Sequence, residues 1–87
     1  MKRIRWTNYA RKKAARREVP DEEVEKTVTN PDSTAPGRPP RQILMRRYVD
    51  GVLGVEMLLR VVVEESAEES VIVTLYKTSK FAKYERR

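Results

Sequence analysis

The chain has 87 residues, 19 Lys or Arg against 13 Asp or Glu, and a formal net charge of +6 at pH 7. It contains neither cysteine nor histidine, which excludes disulfides, thiolate metal ligands and the commonest general acid–base, and leaves zinc only carboxylates. Any proton transfer falls to Tyr, Lys, Glu, Asp or water, and the length allows one small domain with one modest core.

No apolar run approaches the roughly 20 residues that span a bilayer, and no apolar segment follows the basic N-terminus as in a signal peptide. A cytoplasmic protein without a membrane partner is expected. The charge lies in blocks. Residues 1–17 hold eight basic residues and no acid, 18–32 hold six acids and one lysine, and 77–87 hold five basic residues and one acid. Basic blocks at both ends of the chain predict a patch that attracts phosphates. The plainer reading is a solubilising coat.

Residues 2–6 alternate charged and apolar side chains and predict a short edge strand with Ile4 and Trp6 inward. Thr7 or Asn8 can cap a helix from about Tyr9 to Glu18, with Ala10, Ala14 and Ala15 toward the core. Arg11, Lys12, Lys13, Arg16 and Arg17 would cover the rest of that helix. Val19-Pro20-Asp21-Glu22-Glu23 starts a second helix, whose buried stripe is Val24 and Val28 and which ends at Asn30-Pro31. Residues 29–41 hold four of the five prolines and read as a mobile connector.

Residues 42–49 form the next strand, and Asp50-Gly51 signals a hairpin. A two-residue turn pairs Val49 with Val52 and puts Leu44, Arg46 and Tyr48 on the face of Val55 and Met57. A five-residue loop, 50–54, pairs Val49 with Val55 and turns Ile43, Met45 and Val49 inward. The second register is favoured, because it buries more apolar surface and avoids burying an unpaired charge. It also leaves Arg46 and Tyr48 beside Arg60 and Tyr76.

The centre of the chain is the run 53–77, two β-branched-rich stretches around an acidic turn, which reads as an antiparallel hairpin. Val55, Met57, Leu59, Val61 and Val63 share an apolar face, joined by Val71, Val73 and Leu75 if Val63 pairs with Val71. The other face carries Glu56, Leu58, Arg60 and Val62 against Ile72, Thr74, Tyr76 and Thr78. The tail, 79–87, is basic, with Phe81 and Tyr84 as anchors. The expected fold is α+β in a single domain, 1–87. A short N-terminal strand and two helices pack on one face of a three- to four-stranded antiparallel sheet, in the order β-α-α-β-β-β.

Several segments resemble small single-domain proteins of the RelE/ParE-like toxin superfamily, to which BrnT-type toxins are related. The likeness covers nearly the whole chain. It is carried by the basic helix over 7–17, Arg17-Glu-Val-Pro-Asp-Glu-Glu-Val24, Asn30-Pro31 and Arg60-Val-Val-Val63. The most specific part is the closing Val73-Thr-Leu-Tyr-Lys-Thr-Ser-Lys80 with Lys83-Tyr84. The resemblance implies a RelE-like fold and an endoribonuclease or gyrase poison neutralised by a cognate antitoxin protein. Members often carry His-Ala at the start of the first helix, where this chain has Tyr9-Ala10.

Cleavage of RNA by its 2′-hydroxyl needs a base, an acid and cations around the phosphorane. Arg60 and Arg46 are candidates for charge stabilisation, and Tyr76, Tyr48 and Tyr9 for proton transfer or base stacking. Arg11, Lys12, Arg16, Lys77, Lys80 and Lys83 are candidates for phosphate contacts. Against these stand plainer roles: Arg60 as a cross-strand partner of Glu56 or Glu64, Tyr76 as an amphipathic sheet residue, and the Glu64-Glu65 and Glu68-Glu69 pairs as turn charges. No carboxylate set suggests a metal, and no cofactor is expected. The expected function is a metal-independent, toxin-like endoribonuclease or RNA-interacting protein. The alternative is a non-catalytic nucleic-acid- or protein-binding module. A homodimer, or a sheet edge that takes a partner peptide, is compatible with either.

Overall fold

A computed structural model describes residues 2–85. In chain order it contains β1 (Arg3–Trp6), α1 (Asn8–Arg16), α2 (Asp21–Thr29), β2 (Ser33–Pro36), β3 (Arg41–Asp50), β4 (Val55–Glu65), β5 (Glu69–Thr78) and α3 (Phe81–Tyr84). The strands form one sheet in the order β1-β5-β4-β3-β2. The α+β class holds, with two corrections to the sheet. It has five strands, and it is mixed, because β1 runs parallel to β5. The fifth strand is β2, inside the proline-rich stretch read as a mobile connector. It pairs antiparallel with the first half of β3, and its one proline, Pro36, is tolerated because the strand is an edge. Arg86 and Arg87 of the expected basic tail lie outside the described residues.

Local chemistry sets the helix ends. Thr7 Oγ1 accepts from the Ala10 N–H at 3.1 Å and donates to the Ile72 carbonyl at 3.0 Å, so one side chain caps α1 and fastens it to β5. After α1, Glu18 N–H donates to the Ala15 carbonyl and Val19 N–H to the Ala14 carbonyl. This is a Schellman closure, with Glu18 at φ 58 in the place glycine prefers and Val19 buried as its hydrophobic contact. Pro20 precedes α2, and Asp21, Glu22 and Glu23 fill its first turn, where negative charge suits the helix dipole.

Both helices lie on the inner face of the sheet. The core there combines Leu44 and Tyr48 of β3, Met57, Leu59, Val61 and Val63 of β4, Ile72 and Leu75 of β5, and Ala10, Ala14, Val19 and Val24 from the helical side. Ile4, Trp6 and Val28 pack against it as expected. Several expected placements change, beginning with Ala15, which is exposed and not turned to the core. Val63 pairs with Ile72, not Val71, because the register shifts between Val62 and Val63. Val73 is the extra residue of this bulge, so Ile72 turns into the core while Val71 and Val73 remain half-buried. Val55, at the outer end of β4, is exposed.

The hairpin between β3 and β4 follows neither expected pairing. Asp50 pairs with Val55 and Val49 with Glu56, leaving a four-residue loop, 51–54, whose Gly54 takes a φ of 71. Leu44, Arg46 and Tyr48 therefore face inward, and Ile43, Met45 and Val49 face outward. This register avoids the cost of a buried unpaired charge. Arg46 Nη2 meets the Glu23 carboxylate of α2. Asp50, only 1% exposed, accepts from the Tyr48 hydroxyl (3.0 Å), Lys77 Nζ (2.7 Å) and the N–H groups of Val52 and Leu53 (both 2.9 Å). Arg46 and Asp50, which this register turns inward, thus each gain a charged partner, although Arg46 Nε is buried without a hydrogen bond.

Candidate functional site

The outer face of the sheet carries the candidate chemistry. Strand alternation puts Met45 and Arg47 of β3, Leu58 and Arg60 of β4, and Thr74, Tyr76 and Thr78 of β5 on this side. The tail crosses it. The Arg47 guanidinium lies 4.2 Å from the Phe81 ring centroid, and that of Arg60 lies 4.0 Å from the Tyr84 ring centroid. Leu58 is 0% exposed and Met45 2%. Both lie outside the main core cluster, so the outer face has a small apolar centre of its own.

Arg60 is half-buried and pairs across the strands with Tyr76. Its plainer role as an ion-pair partner does not hold. Glu56 is bound to Arg47 and Glu64 to Arg41, and among the described residues no carboxylate lies within ion-pair distance of Arg60. Its Nε is buried with no hydrogen-bond partner. A recess of about 340 Å³ opens beside it, lined by Arg60, Tyr76, Lys77, Thr78, Lys80 and Tyr84.

The residue that sequence reasoning missed is Lys13. Taken as one of several outward basic residues of α1, it is 7% exposed. β1 pairs with β5 only as far as Ile72, so no strand covers the β5 edge beyond it. Lys13 lies at this edge, where its Nζ donates to Thr74 Oγ1 at 3.2 Å and stands 3.7 Å from the Tyr76 ring centroid and 5.9 Å from that of Tyr9. Burial lowers its pKa from the ordinary lysine value, helped by the positive charges of Arg17 and Arg16. The signal in the sequence was its spacing: 10, 13 and 14 share one helical flank.

The structure thus brings Tyr9, Lys13, Tyr76 and Arg60 into one row, with Tyr84 at its end. It does not add Arg46 or Tyr48, which serve the inner face. Burial and the Asp50 carboxylate push the Tyr48 hydroxyl pKa above the normal tyrosine value. Lys77 is also withdrawn. Its contact with Asp50, the two loop N–H groups and Tyr48 holds that carboxyl well below the usual carboxylate range against the opposing effect of burial. Arg11 is exposed but engaged, paired with Asp21 at 2.7 Å and stacked on Trp6. Lys12, Arg16, Lys80 and Lys83 are exposed and have no ion pair among the described residues. Among the described residues no group of three or more carboxylates could hold a metal ion, and no helix is long and apolar enough to cross a membrane.

A family model described as a domain of unknown function, DUF4258, matches residues 6–77. The chain belongs to this family. No curated protein and no solved structure matches it. The DUF4258 span takes in Lys13, Arg60 and Tyr76 of the outer row together with Arg46, Asp50 and Lys77 of the inner face. It stops short of α3, so Phe81 and Tyr84 lie beyond the matched segment.

Proposed function

We propose that this chain is an RNA-interacting protein of toxin–antitoxin type, and that it cleaves a single-stranded segment lying across the outer face as a metal-independent endoribonuclease. The observation that carries this reading is the row Tyr9–Lys13–Tyr76–Arg60, in which cations alternate with aromatic rings and no carboxylate neutralises them. Rings that stack bases, alternating with cations that meet phosphates, are what a single strand requires. The Arg60 fork suits a phosphate, with Lys80 at the rim. Lys13, with its lowered pKa, is the candidate to take the 2′-hydroxyl proton. The 2′-oxygen then bonds to phosphorus, Arg60 stabilises the phosphorane charge, and Tyr76 gives its proton to the departing 5′-oxygen. The products would be a 2′,3′-cyclic phosphate and a 5′-hydroxyl. The β-α-α order and the β3-β4-β5 meander support the likeness to RelE/ParE-like toxins, whereas Tyr9-Ala10 in place of the members' His-Ala departs from it, and the scheme accordingly uses no histidine.

A non-catalytic binding module is the second reading, favoured by the burial of Lys13, whose amine is already engaged by Thr74 and Tyr76. Induced expression separates the two, with growth and total RNA integrity followed for the wild type and an Arg60→Ala, Tyr76→Phe double variant. Arrest with RNA fragmentation in the wild type alone is the expected result. Intact RNA in both cultures, with both proteins folded, would sink the cleavage.

A further inference from the structure

The C-terminal segment explains why Arg60, with no carboxylate partner, is not simply open to solvent. α3 has four residues and no side-chain cap, far below the length at which a helix holds itself together. Contacts with two arginines on the outer face bind it there. Phe81 lies on Arg47, Tyr84 lies on Arg60, and Glu85 accepts from Arg47 Nε at 2.9 Å and Nη2 at 2.6 Å. The Arg47–Glu85 pair is bidentate, but much of the Arg47 side chain is in solvent, so the pair is weak and salt-sensitive. Short elements held by such contacts sit at the low-stability end of a fold, from which moving parts are drawn. Meanwhile the Tyr84 ring covers one face of the Arg60 guanidinium, the surface on which a nucleobase next to a bound phosphate would stack.

We propose that residues 81–85 form a strap that closes the Arg60 site in the free chain, that Arg47–Glu85 is its latch, and that a single-stranded nucleic acid enters by displacing Tyr84 from Arg60. This rests on the RNA-binding reading for its ligand, but not for the strap itself. Tyr84 is then a placeholder, not part of the binding platform, and the closed strap lowers the apparent affinity by the fraction of molecules that are open. A chain that is closed nine times in ten would gain about tenfold when the strap is removed.

The test is binding of a fluorescent 2′-O-methyl oligoadenylate of about ten nucleotides, which cannot be cleaved by its own 2′-oxygen. Tyr84→Ala should bind about tenfold more tightly than the wild type, and Glu85→Gln about threefold, each gain shrinking with added salt. Glu56→Gln is the charge control: it removes one carboxylate beside the same Arg47 without touching α3, and should stay near the wild type. Equal or weaker binding by Tyr84→Ala would make the ring part of the platform and overturn the strap. An equal gain in Glu56→Gln and Glu85→Gln would assign the effect to net charge and overturn it as well. A readout without RNA is the NMR signal of Arg60 Nε–H, which should move in Glu85→Gln as the Tyr84 ring departs; an unmoved signal counts against the strap. If the signal moves and Glu85→Gln binds inorganic pyrophosphate more tightly than the wild type, while no variant binds the oligonucleotide, the strap stands and the RNA reading fails.

Discussion

The two faces of one sheet use the same residue types in opposite ways. On the inner face Arg46, Lys77 and Tyr48 each have an acidic partner: Glu23 for Arg46, and Asp50 for both Lys77 and Tyr48. On the outer side Lys13, Arg60 and Tyr76 have no carboxylate, and the cations rest on aromatic rings. An ion pair in a dry setting satisfies both members and leaves nothing over for a ligand. A cation on a ring keeps most of its capacity for an anion, because the ring's quadrupole offsets only part of the charge. The inner arginine and lysine are parts of the frame, whereas the outer ones, on our proposal, are kept for a ligand. Arg47 stands between these cases, with two carboxylates and a ring.

Breaking the inner face should have the largest effect. Asp50→Ala leaves the half-buried Lys77 without its partner and orphans two loop N–H groups, and should cost roughly 3 kcal/mol in a urea titration. The same carboxyl should govern part of the acid limb. Its folded pKa lies below the unfolded value of about 3.9, so its contribution is full above that value and is lost as pH falls through and below it. Asp50→Asn should therefore flatten the loss of stability below about pH 4. Breaking the outer face should instead show in binding. Arg60→Ala should weaken oligonucleotide affinity about tenfold and lower the salt slope by about one, while changing stability by less than about 1 kcal/mol.

Two smaller effects sharpen the contrast. At the end of α1, Glu18→Gly should stabilise the chain by up to about 1 kcal/mol, since glycine takes a positive φ without a Cβ clash, and should leave binding untouched. At Lys13 the test is the pH profile. Wild-type affinity for the 2′-O-methyl oligoadenylate should fall, as pH rises, before an ordinary lysine would titrate, because the amine loses its charge early. Lys13→Arg remains charged and should remove that step. A wild-type profile that stays flat to the ordinary lysine range would take Lys13 out of the site.

Much of the frame was legible in the sequence because it is local. The β-branched runs marked β4 and β5, Thr7 the start of α1, and the spacing of Val24 and Val28 the buried side of α2. What escaped depends on distant partners. Alternation alone could not tell that Glu23, on another element, would make Arg46 cheap to turn inward, or that Asp50 would collect four donors. The bulge at Val73 carries no glycine or proline to announce it, and β2 is hidden among prolines because an edge strand tolerates them. For the candidate site, Arg60 and Tyr76 were legible as neighbours on one face, but the expected register set Arg60 opposite Thr74, and only the bulge brings it opposite Tyr76. Lys13 was not, since its burial depends on where β1 stops along β5.

The most direct test of the account is a titration of the wild-type chain with the 2′-O-methyl oligoadenylate, followed by NMR across both faces. The account predicts that signals of Lys13, Tyr76 and Arg60 shift together with one affinity, while those of Arg46, Tyr48 and Asp50 stay in place. Shifts confined to the inner-face residues, or none at any residue up to millimolar ligand, would contradict it.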